Sequence, residues 1–128
     1  MIYLDSSVLL AQLFAETRCP PDNFWAQPIF SSRLLEFEVT NRLNARGAQA
    51  LISDAARHML GRVEMSEMTP AILARALDPF PVPVRMLDCL HLATMHYLRS
   101  RGQTLQLASC DLRFIGAAQA LGFPLAHF

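Results

Sequence analysis

The sequence of 128 residues predicts an α/β fold built on a mainly parallel sheet of about five short strands. Three observations carry that expectation. Short runs of β-branched and aromatic residues alternate with longer stretches of helical period along the whole chain. The opening run, Ile2-Tyr3-Leu4, has no polar member, which is the pattern of a strand covered on both faces, as parallel strands are. Serine, Thr-Pro and glycine stand where helices should begin and end.

Taken in order, the first strand ends at Asp5, and Ser6-Ser7 opens a helix that continues through Val8-Leu9-Leu10-Ala11 to Leu13-Phe14. Cys19-Pro20-Pro21-Asp22 breaks it, and Phe24 and Trp25 fit a short helix with its aromatics turned inward. Ile29 to Ser32 reads as a second strand that runs into a helix from Arg33 to Arg46, stopped by Gly47. Ala48 to Leu60 forms the next helix, striped by Ala48, Leu51, Ile52, Ala55 and Met59, and Gly61 closes it. Val63 to Met68 alternates as a third strand does, and Thr69-Pro70 caps a helix from Ala71 to Leu77 with proline at its first position. Asp78 to Pro83, rich in proline, is a stiff surface connection. Met86 to Leu98 is apolar nearly all round, so this helix is expected to lie deep, and Gly102 ends it. Leu105 to Ala108 is a fourth strand, Asp111 begins a helix through Leu121 that Gly122 terminates, and Pro124 to Phe128 is a fifth strand. Nothing divides the chain, and residues 1–128 are expected to form a single domain.

Composition narrows the class. With 52% hydrophobic and 17% charged residues the chain is well buried rather than disordered, and no apolar run reaches the length of a membrane span. Neither a basic start nor a long apolar run marks a signal peptide. The three cysteines lack paired spacing, so reduced thiols in a cytoplasmic protein are expected, without a disulfide framework or a zinc site. Formal charge is zero, which by itself does not point to nucleic acid, yet all eleven cationic residues are arginine, the side chain that grips phosphate in a bidentate way.

Four of the eleven acids stand where simple solvation does not account for them. Asp5 and Asp111 each follow a strand, at the carboxyl ends where open α/β sheets gather ligands. Glu38 shares the apolar stripe of its helix with Leu34 and Leu35, and Asp88 lies in the first turns of a helix with almost no polar surface. Local explanations exist: Asp5 as a helix cap, or an arginine such as Arg42 or Arg85 as a partner. The other explanation is convergence on a divalent cation. An all-oxygen cluster suits Mg²⁺ or Mn²⁺, and such a centre supports phosphodiester cleavage. His91, three residues after Asp88, is better read as a hydrogen-bonded core histidine than as a ligand, because one histidine makes no ligand constellation.

In this order and context the residues form a known pattern. IYLDSSVLL, SSRLLEFEVTNRL, RMLDCLHLATM and LASCDLRFIGAAQALGF together resemble the PIN-domain ribonucleases, most closely the short VapC-type toxins of prokaryotic toxin–antitoxin pairs. The resemblance spans the chain, and LDCLHLAT followed by Ser-Cys-Asp is its most specific part. It implies a three-layer α/β/α fold with a central parallel sheet, and an endoribonuclease dependent on one or two Mg²⁺ or Mn²⁺ ions. It implies that Asp5, Glu38, Asp88 and Asp111 are the catalytic, metal-binding acids, and that Ser6 and Ser109 orient carboxylates or water. A homodimer and a cognate VapB-like antitoxin are implied as partners beside the RNA substrate. Asn41 departs from the family at a position where many relatives carry arginine, and Arg42 or Arg46 could supply the phosphate contact instead. Two other classes stay open. One is a non-catalytic PIN-like module that binds protein or RNA; the other is an Asp-nucleophile phosphotransferase, disfavoured because Asp5-Ser6-Ser7 has no second Asp.

Overall fold

The computed structural model describes residues 1–128. β1 (Ile2–Leu4) is flanked on both sides, by β2 (Ile29–Ser32) and by β4 (Gln106–Ala108), and β3 (Glu64–Ser66) lies outside β2. All pairings are parallel, with Ile2 opposite Ile29 and Gln106, Leu4 opposite Ala108, and Ser31 opposite Met65. Parallel strands need crossovers, and five helices provide them, α1 (Ser6–Leu13), α2 (Leu34–Ala45), α3 (Ala50–Leu60), α4 (Pro70–Leu77) and α5 (Met86–Ser100), while α6 (Leu112–Ala120) follows β4.

The period of two along β1 divides the core. Ile2 and Leu4 point to one face, into a cluster with Val8 and Leu9 of α1, Leu35, Val39 and Leu43 of α2 and Ala56 of α3. Tyr3 points to the other, among Leu92, Met95 and Leu98 of α5 and Phe114, Ala117 and Ala118 of α6. The sheet is thus covered by helices on both faces, the α/β architecture expected from the alternation of elements. No helix is long and apolar enough to cross a membrane.

The sheet has four strands, where the sequence suggested about five. The segment from Pro124 makes a single parallel bridge, Leu125 to Leu107, with Leu107 N–H on Pro124 O and Ala126 N–H on Leu107 O, both at 2.8 Å. Phe128 then leaves the ladder and sets its ring edge-on to Phe24, 5.4 Å between centroids. Core packing wins over a further ladder bond. Elsewhere the differences are small. Phe24 sits buried in a 3-10 turn (Asp22–Ala26), and Thr69 caps α4 through its hydroxyl, which accepts the Ile72 N–H at 3.3 Å.

Candidate metal centre

Every crossover leaves a strand at the same edge of a parallel sheet, so the turns after β1 and β4 meet in space although they are a hundred residues apart. Asp5 begins the first of these turns. It is buried, and its side chain makes no capping bond to α1. Instead Oδ2 accepts hydrogen bonds from Ser7 Oγ and, at 2.7 Å, from Ser109 Oγ. The same hydroxyls hold the opposite turn. Ser7 Oγ accepts the Cys110 N–H at 2.9 Å, and Ser109 Oγ accepts the Asp111 N–H at 3.0 Å. Asp111 does cap its helix, its Oδ1 taking the N–H groups of Arg113 at 2.9 Å and Phe114 at 3.3 Å.

Glu38 is held from beneath. His91 is fully enclosed, with Nδ1 at 2.9 Å from the Tyr3 hydroxyl and Nε2 against Glu38 Oε1. With the hydroxyl donating to Nδ1, the proton on Nε2 faces the carboxylate, so the ring carries a hydrogen-bond chain from the core to Glu38. Ser6 Oγ reaches the other oxygen, Oε2, at 3.4 Å. Asp88 lies in the first turn of α5, where the helix dipole favours an acid.

Asp5, Glu38, Asp88 and Asp111 all line one cleft of about 450 Å³, together with Ser6, Ser7, Arg42 and Arg85. Burial raises the Asp5 carboxyl above the ordinary range, with Ser7, Ser109 and His91 opposing that shift. Asp88 is also raised, first by loss of water and then by the charges of Asp111 and Asp5. Arginine does not relieve this charge, because the arginine–acid ion pairs join Arg33 to Glu36 and Glu67 and Arg57 to Asp54. Four carboxylates lining one cleft without an arginine partner are a donor set that fits a hard divalent cation. The close group of ligand atoms is smaller: one oxygen of Asp5, one of Glu38 and a ring nitrogen of His91 lie within 4.8 Å of one another, and Asp88 and Asp111 stand outside it. We assign His91 to positioning, since both of its nitrogens are engaged and coordination would cost the contact that orients Glu38.

Sequence reasoning passed over one hydroxyl, that of Ser7, and one arginine stands elsewhere than expected. The hydroxyl that serves Asp5 beside Ser109 belongs to Ser7, while Ser6 serves Glu38. Ser-Ser offers both, and only the phase of α1 decides which one turns inward. Arg42 is at the cleft, but Arg46 is not. Its guanidinium lies 4.2 Å from the ring centroid of Phe14, so it is drawn off to an aromatic face.

Comparison with curated proteins returns no match. The family model described as PIN domain matches residues 2–126, which is nearly the whole chain and includes all four acids. The chain therefore belongs to the PIN-domain family, whose members are in general metal-dependent nucleases.

Proposed function

We propose that this protein is an endoribonuclease dependent on Mg²⁺ or Mn²⁺, the VapC-like toxin of a toxin–antitoxin pair, with Asp5, Glu38, Asp88 and Asp111 as its metal-binding, catalytic acids. The observation that carries the reading is the cleft itself: four carboxylates from four separate elements, without an arginine partner, in a chain matched by the PIN model. One or two bound ions supply Lewis acidity at the scissile phosphate. The protein's part is preorganisation. Ser7 and Ser109 fix Asp5, His91 and Ser6 fix Glu38, and the cap bond of Asp111 to α6 fixes that carboxylate. Arg42 at the rim is placed to hold a flanking phosphate. The full set of motifs supports the toxin role, and with it a homodimer, a VapB-like antitoxin and a cytoplasmic setting.

The test is incubation of the purified protein with a mixed pool of structured RNA, with Mn²⁺ and with EDTA. Discrete fragments that need the metal are expected. Intact RNA from protein that binds no Mn²⁺ would overturn the proposal and leave the non-catalytic interaction module in its place.

A further inference from the structure

The arginines divide into two groups. Arg33 and Arg57 pair with acids, Arg62, Arg75 and Arg99 donate to carbonyl oxygens, and Arg18 and Arg46 lie over phenyl rings. The guanidinium groups of Arg42, Arg85, Arg101 and Arg113 have no such partner. Arg101 stands at the far end of α5, about 24 Å along the helix from Arg85. The other three border the acidic cleft or the cavity beside it.

That second cavity is a trough of about 650 Å³, and it joins the cleft because Arg85 and Asp88 line both. Val82, Pro83 and Val84 of the proline-rich connection form one wall, and Leu112 and Gly116 lie on the other, with Arg113 beside them. Leu112 is 77% exposed and Val82 37%, so apolar surface here faces solvent rather than core. Gly116 lies inside α6, where glycine is disfavoured, yet a Cβ there would meet nothing within 4 Å. Helix packing does not require the glycine, and its lack of a side chain keeps the trough open.

We propose that this trough seats the nucleotide of single-stranded RNA that adjoins the scissile phosphate, its base against the apolar walls and its phosphate on Arg85 and Arg113. This rests on the nuclease reading above and extends it to how the substrate is held. Charge complementarity selects the occupant. Unpaired guanidinium groups beside a cleft for a phosphodiester match a polyanion and grip its oxygens in a bidentate way. Val82, Val84, Leu112 and Ala117 give the base an apolar surface to lie on, while the polar side chains of the lining, Arg85, Asp88 and Arg113, stand on the side that takes the phosphate and the cleft.

The test measures binding of a fluorescein-labelled single-stranded RNA of mixed sequence by anisotropy across a range of salt, with Mn²⁺, in an Asp5→Asn background that keeps the RNA whole. Arg85→Gln and Arg113→Gln should each weaken binding and flatten the log–log salt slope by about 0.7, the value of one phosphate contact on a single strand. Arg101→Gln should leave the slope unchanged. Gly116→Leu should weaken binding several-fold with the slope intact, because it fills the seat and removes no charge. Parental slopes in both arginine variants, or parental affinity in Gly116→Leu, would overturn the trough. So would a fall in sedimenting mass in these variants, which would make it an interface between copies. If the natural sequence still cut RNA with Mn²⁺, only the trough would fall; if it neither cut nor bound RNA, the nuclease reading would fall with it.

Discussion

Ser109 shows how much rests on single side chains. Its hydroxyl donates to Asp5 and accepts from the Asp111 amide, so one oxygen ties two acids of the cleft. Ser109→Ala leaves Ser7 as the only hydroxyl donor to a buried carboxylate, and should lower stability by about 1–2 kcal/mol in urea unfolding. Because Asp5 is then less well oriented, Mn²⁺ affinity should weaken by about tenfold in calorimetry. Ser6→Ala should do less, since its contact to Glu38 is long at 3.4 Å. The acids also set a pH dependence. Asp5 and Asp88 are raised above ordinary carboxylate values, so between those values and the raised ones the folded chain keeps protons that the unfolded chain has lost. Their contribution to stability is therefore present at low pH and lost as pH rises through that window. In thermal unfolding with chelator, Asp5→Asn should soften this loss; saturating Mn²⁺, which binds the ionised forms, should reverse it. A chelated natural sequence and Asp5→Asn with parallel profiles would contradict the assignment. The sequence was informative about which acids are unusual, because a strand end or an apolar helix stripe is an odd place for a carboxylate, although only Asp5 is buried and Glu38, Asp88 and Asp111 are partly exposed. It was silent on which of two adjacent serines meets Asp5, since that depends on helix phase.

Helices and strands were legible where pattern and burial agree. β1, β2 and the capped α4 follow the sequence closely, because unbroken apolar runs and Thr-Pro leave little choice. Two helices show where pattern misleads. The stripe expected on α3 included Leu51 and Ala55, but Leu51 is 80% exposed and the buried contact is Ala56, one residue on. Several apolar residues side by side do not say which face is inward. α5 was expected to lie deep throughout, yet Met86 is 77% exposed and the buried stretch begins at His91. The exposed first turn is what brings Asp88 and Arg85 to the cleft. On α6 the glycine offers a clean test: Gly116→Ala should raise stability by up to about 1 kcal/mol in urea unfolding, since the Cβ meets nothing and alanine favours helix. A loss of stability would mean that the helix needs the glycine.

For the whole molecule, the formal charge of zero hides a segregation. Most arginines are occupied by local partners, while acids collect at the carboxyl edge of the sheet with unpaired arginines around them. Parallel topology produces this, by returning the turns after β1 and β4 to one place, and it explains why residues as distant as Asp5 and Asp111 share one cleft. Composition could not show it, since charge counts carry no position. A cation held by these acids needs the folded arrangement, so on the proposed function Mn²⁺ at a hundredfold excess over its dissociation constant should stabilise the protein by about 2.7 kcal/mol, read as a rise in Tm.

On the proposed function, Asp5, Glu38, Asp88 and Asp111 act as one cation-dependent centre. The most direct measurement compares Mn²⁺-dependent RNA cleavage by Asp5→Asn, Glu38→Gln, Asp88→Asn and Asp111→Asn, each checked for folding by circular dichroism. These changes keep shape and remove one charge apiece, and every folded variant should lose cleavage by at least about a hundredfold. Full cleavage retained by both Asp5→Asn and Asp88→Asn would contradict it.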